Sequence, residues 1–297
     1  MMLGSDDLVL CAGTLPRDTP WKERLAAASS AGFAGLSVWA RDYDAARRDG
    51  WSDADLRAQL DHHGLAIAEL DPAWWWTPGI ADVDVESLVA IDTMDVFRYG
   101  ETEMLAVADA LGARSINAAD VLGGSWGVDD AAEAYAALCD RAAEHGLLVH
   151  LEFLPWSRVP DLATAWEIVR LADRANGGIA IDAWHWFRCA TPCDVATLRT
   201  LPGEKVLGIQ LNDAPARPEA NLMSASLHER LLPGEGAIDL AELVGALRAI
   251  GAVAPIGVEV FSDALHARGA MDAARRSADA TRAVLGRPGL ERAGVVA

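Results

Sequence analysis

The sequence predicts a single (β/α)₈ barrel, and three observations predict it. Eight short apolar runs rich in Val, Leu and Ile alternate with eight Ala- and Leu-rich segments of helical spacing. Glycines stand between the end of a helical segment and the next apolar run at Gly32, Gly64, Gly112, Gly146 and Gly251, where a left-handed C-cap costs least. Finally, the 297 residues carry 52% hydrophobic side chains with no low-complexity linker or shift in composition to mark a domain boundary. Strands joined by helical crossovers must run parallel, and eight such repeats fit a closed barrel better than an open sheet.

The strands are expected at Leu8–Gly13, Gly35–Ala40, Ala66–Asp71, Ser115–Ala119, Leu147–Leu154, Gly178–Ala183, Val206–Asp213 and Pro255–Phe261. The helices are expected near Pro20–Ala31, Asp53–His63, Glu101–Leu111, Asp129–His145, Asp161–Asn176, Asp194–Leu201, Leu240–Ile250 and Met271–Leu285. The longest strand-to-helix loop of the second half is Ala214–Ile238, and a loop of that length in a compact domain is a place to look for function. The barrel is assigned to residues 1–286, and 287–297 are read as a frayed tail.

Composition removes several function classes. With 25 Lys and Arg against 44 Asp and Glu the formal charge is −19, which disfavours nucleic acid and anionic membrane surfaces as partners. No apolar stretch reaches a membrane-spanning length, and the N-terminus, with Asp6 and Asp7 ahead of a short apolar run, does not read as a signal peptide. Cys11, Cys139, Cys189 and Cys193 show no CxxC spacing, which fits a reduced cytoplasmic protein. A small-molecule substrate is the expected partner, and a homo-oligomer is compatible with the sequence.

In a barrel strand successive side chains alternate between interior and helix layer, and chemistry collects at the C-terminal ends. One face of each of four consecutive strands then ends in Glu152, Asp182, Gln210 and Glu259. Alternation alone does not say which face is inside, but Gly178, Gly208 and Gly257 on the same faces suit a narrow interior. Any one of these four polar residues alone would be an ordinary capped or paired side chain. Four at equivalent positions, three of them carboxylates, would repel unless a cation lies between them. All-oxygen ligation points to one divalent ion, Mn²⁺ or Mg²⁺.

His185, three residues beyond Asp182, can reach the same mouth, where a carboxylate cluster would hold its pKa in the working range for proton transfer. His150, deeper in its strand, reads as a core histidine. The long loop supplies Arg217, and its segment His228-Glu-Arg230 stands before a glycine-punctuated turn, so these three are candidate substrate contacts. Eight of the 11 tryptophans fall at or just past strand ends, and Trp74, Trp76, Trp156, Trp184 and Trp186 are expected to form an aromatic mouth that selects substrate.

The motifs Leu151-Glu152-Phe-Leu-Pro155, Ile181-Asp182-Ala-Trp-His185, Ile209-Gln210-Leu-Asn-Asp213, Leu232-Pro-Gly-Glu-Gly236 and Gly257-Val-Glu259 resemble the xylose isomerase-like barrel superfamily of sugar phosphate isomerases and epimerases. The resemblance covers the second half in motif and the whole chain in layout. It implies that Glu152, Asp182, Gln210 and Glu259 ligate the metal, and that His185 and an Arg of the following loop touch substrate. Gln210 stands where many members have His. Endonuclease IV is similar in fold, but its histidine-rich zinc site is missing here, since Asp71-Pro-Ala-Trp74 and Asn117-Ala-Ala-Asp120 lack histidine.

These readings converge on an isomerase or epimerase of a polyhydroxylated carbonyl compound working through an enediolate, with Glu152 and Glu259 as base and acid on opposite faces. Two alternatives stand beside it. One is a lyase that expels water or an aglycone, with His185 protonating the departing oxygen. The other is a metal-binding barrel subunit without turnover.

Overall fold

The computed structural model describes residues 3–80 and 96–286. Eight parallel strands close into one barrel in sequence order: β1 (Leu8–Leu10), β2 (Gly35–Val38), β3 (Ala66–Ala73), β4 (Ser115–Ala119), β5 (Leu148–Glu152), β6 (Gly177–Asp182), β7 (Val206–Leu211) and β8 (Ile256–Val258). Each lies within an expected strand or overlaps most of one. The tail 287–297 read as frayed lies outside the described residues.

All eight expected helices occur, with ends that match or shift by a few residues: α1 (Trp21–Ser30), α3 (Asp53–His63), α4 (Glu101–Leu111), α5 (Val128–Glu144), α6 (Leu162–Ala172), α8 (Val195–Leu198), α10 (Leu240–Ala249) and α12 (Ala270–Leu285). Among the described residues, four more were not anticipated: α2 (Ala40–Arg48), α7 (Ala183–Arg188), α9 (Leu222–His228) and α11 (Asp263–His266). Three of these four are at most seven residues long and follow a strand end directly or sit in a loop, too short for helical periodicity to register. The glycine punctuation holds, with φ between 65° and 78° at Gly32, Gly64, Gly112, Gly146 and Gly251.

Alternation sorts the strands as expected. Val149 and Leu151 of β5, Ile179 and Ile181 of β6 and Leu211 of β7 are fully buried in the layer between sheet and helices. Their neighbours His150, Glu152, Asp182 and Gln210 turn the other way, into the barrel. The interior is narrow: a Cβ on Gly208 would lie 2.9 Å from His150 Nδ1, and one on Gly257 would lie 3.0 Å from Cys11 Sγ. All four cysteines are unpaired thiols. Among the described residues no helix is long and apolar enough to cross a membrane.

Candidate active site

Strand register sets the site. Asp182 pairs with Gln210 and Gln210 with Gly257, so adjacent strands bring Asp182 and Gln210 to one level, and Glu259 follows two residues past Gly257. Glu152 closes β5 on the other side of β6. Glu152, Asp182 and Glu259 each offer an oxygen, and the three oxygens lie within 4.8 Å of one another; all three residues are buried.

Gln210 completes the group in a specific orientation. Its amide nitrogen lies 3.3 Å from Glu69 Oε1 and 3.3 Å from Glu259 Oε1, which uses both N–H bonds. Its buried Oε1 is left with no hydrogen-bond partner. A buried carbonyl without a partner costs free energy, and beside three carboxylates a cation is the group that would satisfy it. The four residues therefore fit a divalent ion bound through oxygen.

Glu69 was not picked out from the sequence, yet it controls that orientation. Its Oε2 is 3.1 Å from His150 Nε2, which also lies 3.2 Å from Ser115 Oγ, so a buried chain runs from His150 through Glu69 to Gln210. His150 is the core histidine expected. Partners behind a ligand typically change metal affinity by about 10- to 100-fold when removed. Glu69→Gln should therefore weaken Mn²⁺ binding by about 10-fold or more while leaving the fold intact, since Gln can still accept from His150. A Mn²⁺ titration followed by electron paramagnetic resonance checks this, and an unchanged affinity would dismiss the positioning role.

Arg230 is the cation of the site. Its Nη1 donates to Asp182 Oδ2 at 2.9 Å and Glu259 Oε2 at 3.1 Å, while Nε and Nη2 are held by the Ser226 carbonyl at 2.8 Å and Ser226 Oγ at 2.9 Å. The guanidinium lies over the rings of Trp184 and Phe261, at 5.8 and 5.1 Å. It is only 2% exposed. The Ala214–Ile238 loop carries it, with the antiparallel bridge Asp213–Leu231 pinning the loop to the end of β7.

His185 lines the same cavity, but its state differs from the sequence expectation. Burial pushes its pKa down to about 3 and Arg230 adds to this, against the opposing pull of Asp182. The imidazole is therefore neutral. Arg230 Nη2 lies 3.3 Å from Nε2 and can only donate, so Nε2 accepts and Nδ1 carries the proton. Nδ1 has no partner. His185 thus offers an N–H bond rather than a titrating acid.

A second acid was missed. Asp71, at the end of β3, accepts from Asn117 Nδ2 at 3.0 Å and from the Trp39 indole at 3.3 Å. Asn117 donates from the same nitrogen to Glu152 Oε2 at 2.7 Å. Burial first, and the charge of Glu69 next, raise the Asp71 pKa to about 7. Burial, then Asp182 and Asp71, raise Glu152 well above the carboxylate range. Burial also raises Glu259, against Arg230.

Groups whose folded pKa is raised hold protons that the unfolded chain has released. They stabilise the fold at low pH and lose that contribution as pH rises through the folded value. His185, shifted down, acts in the opposite sense only between about 3 and 6.5. Above pH 6.5 the carboxylates decide the sign. Metal-free protein in EDTA should therefore lose urea stability between pH 6.5 and 8, by up to about 1.4 kcal/mol per pH unit for each proton involved, and Asp71→Asn should flatten the slope. A slope identical in the variant would remove Asp71 from the titrating set.

The other sequence candidates divide. Trp156 lines the cavity above the carboxylates, together with Trp39, Asp71, Phe97, Leu154, Met223, Leu227 and Phe261. The cavity measures about 200 Å³. Trp74, Trp76, Trp184 and Trp186 do not line it, which corrects the expected aromatic mouth. The Trp74 indole donates to the Tyr99 carbonyl and the Trp76 indole to that of Ala119, and both side chains are buried. Trp184 and Trp186 are fully buried on α7, and Trp184 supports His185 and Arg230 from behind.

Arg217 and His228 are also corrected. Arg217 is exposed and lines no part of the cavity, while His228 pairs with Asp263 on the surface at 3.1 Å. Arg17, on the loop after β1, does line the cavity and carried no sequence signal.

Residues 25–284 match the family model described as xylose isomerase-like TIM barrel. A 3-dehydroshikimate dehydratase of Pseudomonas aeruginosa is 30% identical over 269 residues, which is 87% of this chain and 38% of that protein. An inosose isomerase of Bacillus subtilis is 32% identical over 126 residues, 42% of this chain and 44% of the relative. The chain thus spans less than half the length of these curated relatives in the matched region. Among solved structures, an IOLI protein with a bound zinc atom superposes with a TM-score of 0.78 at 21% identity, covering 94% of this chain and 98% of the other. At that identity the likeness concerns the fold.

Proposed function

Since the chain belongs to the xylose isomerase-like TIM-barrel family, we propose that it is an isomerase or epimerase that moves a proton on a carbon next to the carbonyl of a hydroxylated compound, with a divalent ion held by Glu152, Asp182, Gln210 and Glu259. The observation that carries this reading is the cluster of three buried carboxylates, next to which Gln210 keeps an unpartnered buried Oε1 while its amide nitrogen contacts Glu259. Bound there, Mn²⁺ or Mg²⁺ would polarise the carbonyl and make the adjacent C–H bond more acidic.

The chain's own residues supply the rest. Glu152 takes the proton, and the Asn117 amide at 2.7 Å orients its carboxylate. Glu259, held from the other side by Arg230, returns a proton to the opposite face. His185, neutral and held by Arg230, stands beside Glu152 as a wall of the reacting site. The apolar walls above keep water away from the reacting carbon.

A lyase is the second reading, and Asp71 favours it. With a pKa near 7 and a place on the cavity wall, it can protonate a departing oxygen, a task that the neutral His185 performs poorly. The test is incubation of Mn²⁺-loaded protein in D₂O with ketoses, inososes, dehydroshikimate and oxidised glycosides, followed by NMR. Deuterium at the carbon next to the carbonyl, lost on adding EDTA, is the expected result. Loss of water or aglycone would favour the lyase. Mn²⁺ binding with no exchange into any compound would leave a binding subunit.

A further inference from the structure

We propose that the substrate carries its hydroxylated carbonyl at one end and an apolar, planar group at the other, as in an aryl-substituted hydroxyketone, and is not a free sugar. The inference rests on the proton-transfer reading above and names the substrate class for the same site. It comes from how polar groups are distributed over the cavity. Glu152, Glu259, Arg230, His185, Ser226 and Asp71 are gathered at the acidic floor. Above them the wall, among the described residues, is built from Trp39, Phe97, Leu154, Trp156, Phe261 and Leu227, with Pro72, Val96, Ala119, Val121 and Met223 filling between and Arg17 as its one charged side chain.

A free sugar placed on the floor would satisfy two or three oxygens there. Its other hydroxyls would face this wall and give up hydrogen bonds to water without replacement. The Trp39 indole, a donor on this wall, is already engaged with Asp71 at 3.3 Å.

A flat apolar group meets none of these objections. Trp39 and Phe261 lie nearly parallel, with ring centroids 6.2 Å apart and planes at 21°, and present aromatic surface to the cavity. At the rim, α9 leaves Met223 37% and Leu227 42% exposed, two of the five large apolar side chains this open among the described residues. Both line the cavity, so an occupant extending from the floor would cover them.

The test compares two ligands with the same hydroxyketone end. Binding of 2-hydroxyacetophenone and of dihydroxyacetone to Mn²⁺-loaded protein is measured by calorimetry, with exchange of the proton next to each carbonyl followed in D₂O. The aryl compound should bind at least about tenfold more tightly. The double variant Met223→Ser/Leu227→Ser changes exposed side chains only. It should weaken the aryl compound about fivefold or more and leave dihydroxyacetone within twofold.

Equal affinities, or equal losses in the double variant, would overturn the substrate class. If dihydroxyacetone still exchanges its proton in that case, the proton-transfer reading survives. If the aryl compound binds tightly and responds to the rim variant but neither compound exchanges, the pocket stands and the proton-transfer reading fails. Binding of neither compound overturns both.

Discussion

Glu152→Gln should lower proton exchange by about 10²- to 10⁴-fold, the range associated with loss of a general base. The variant keeps the shape of the side chain and one carbonyl oxygen but cannot take a proton. Its orientation is also predictable. Asn117 donates from Nδ2 to both Glu152 and Asp71, so it is not free to turn over. The oxygen of the introduced amide must face Asn117, and its NH₂ group must take the place of Glu152 Oε1, the oxygen that lies 3.6 Å from His185 Nε2. Metal affinity should fall as well, so exchange has to be measured at saturating Mn²⁺. Exchange at the parent rate under saturation would show that another group is the base, and Glu259 or Asp71 would then be tested next.

The outline of this site was legible because barrel strands obey a strict alternation. Applied to β5 through β8, the period of two finds Glu152, Asp182, Gln210 and Glu259, and the register brings them together. The same rule applied to β3 and β4 would have found Glu69, Asp71 and Asn117. Those strand ends carry no histidine and so no metal-ligand signature, although the carboxylates and amide there orient Gln210 and Glu152.

The tryptophans failed for a different reason. Proximity to a strand end places a side chain at the top of the barrel but does not say which way it points. Trp76 turns away from the cavity to pack against Trp126 and Tyr135, and Trp74 packs on Phe97. Trp39 and Trp156 turn toward the cavity. Within the long loop, His228 and Arg230 are two residues apart and part company because His228 closes α9 at the surface, while Arg230 lies past the helix end with its side chain buried against Asp182 and Glu259. For His185 the sequence shows the neighbouring carboxylates but not the burial, and burial outweighs their pull.

Arg230→Met should have two opposite effects, one on the metal-free protein and one on metal binding. In the metal-free state Arg230 is the cation directly bonded to Asp182 and Glu259, and all three side chains are nearly inaccessible to water. Removing one partner of a buried ionic group costs about 3–5 kcal/mol, because the charge left behind has neither water nor counter-ion. Part of that cost will be met by protonation of the carboxylates, so the loss of urea stability should be larger at pH 8 than at pH 6. A bound divalent ion reverses the balance. It would draw on Asp182 and Glu259, whose charge Arg230 already partly neutralises, so the arginine weakens the hold of the site on metal. Methionine fills a similar length between Trp184 and Phe261 and leaves that charge to the ion. Mn²⁺ should then bind the variant about tenfold or more tightly than the parent, since free energy lost from the metal-free fold reappears as binding energy. Exchange activity should nevertheless fall, because Glu259 and the His185 imidazole lose the group that orients them. Calorimetric titration of both proteins with Mn²⁺ decides the matter: weaker binding in the variant would mean that Arg230 shapes the ligand set rather than competing for its charge.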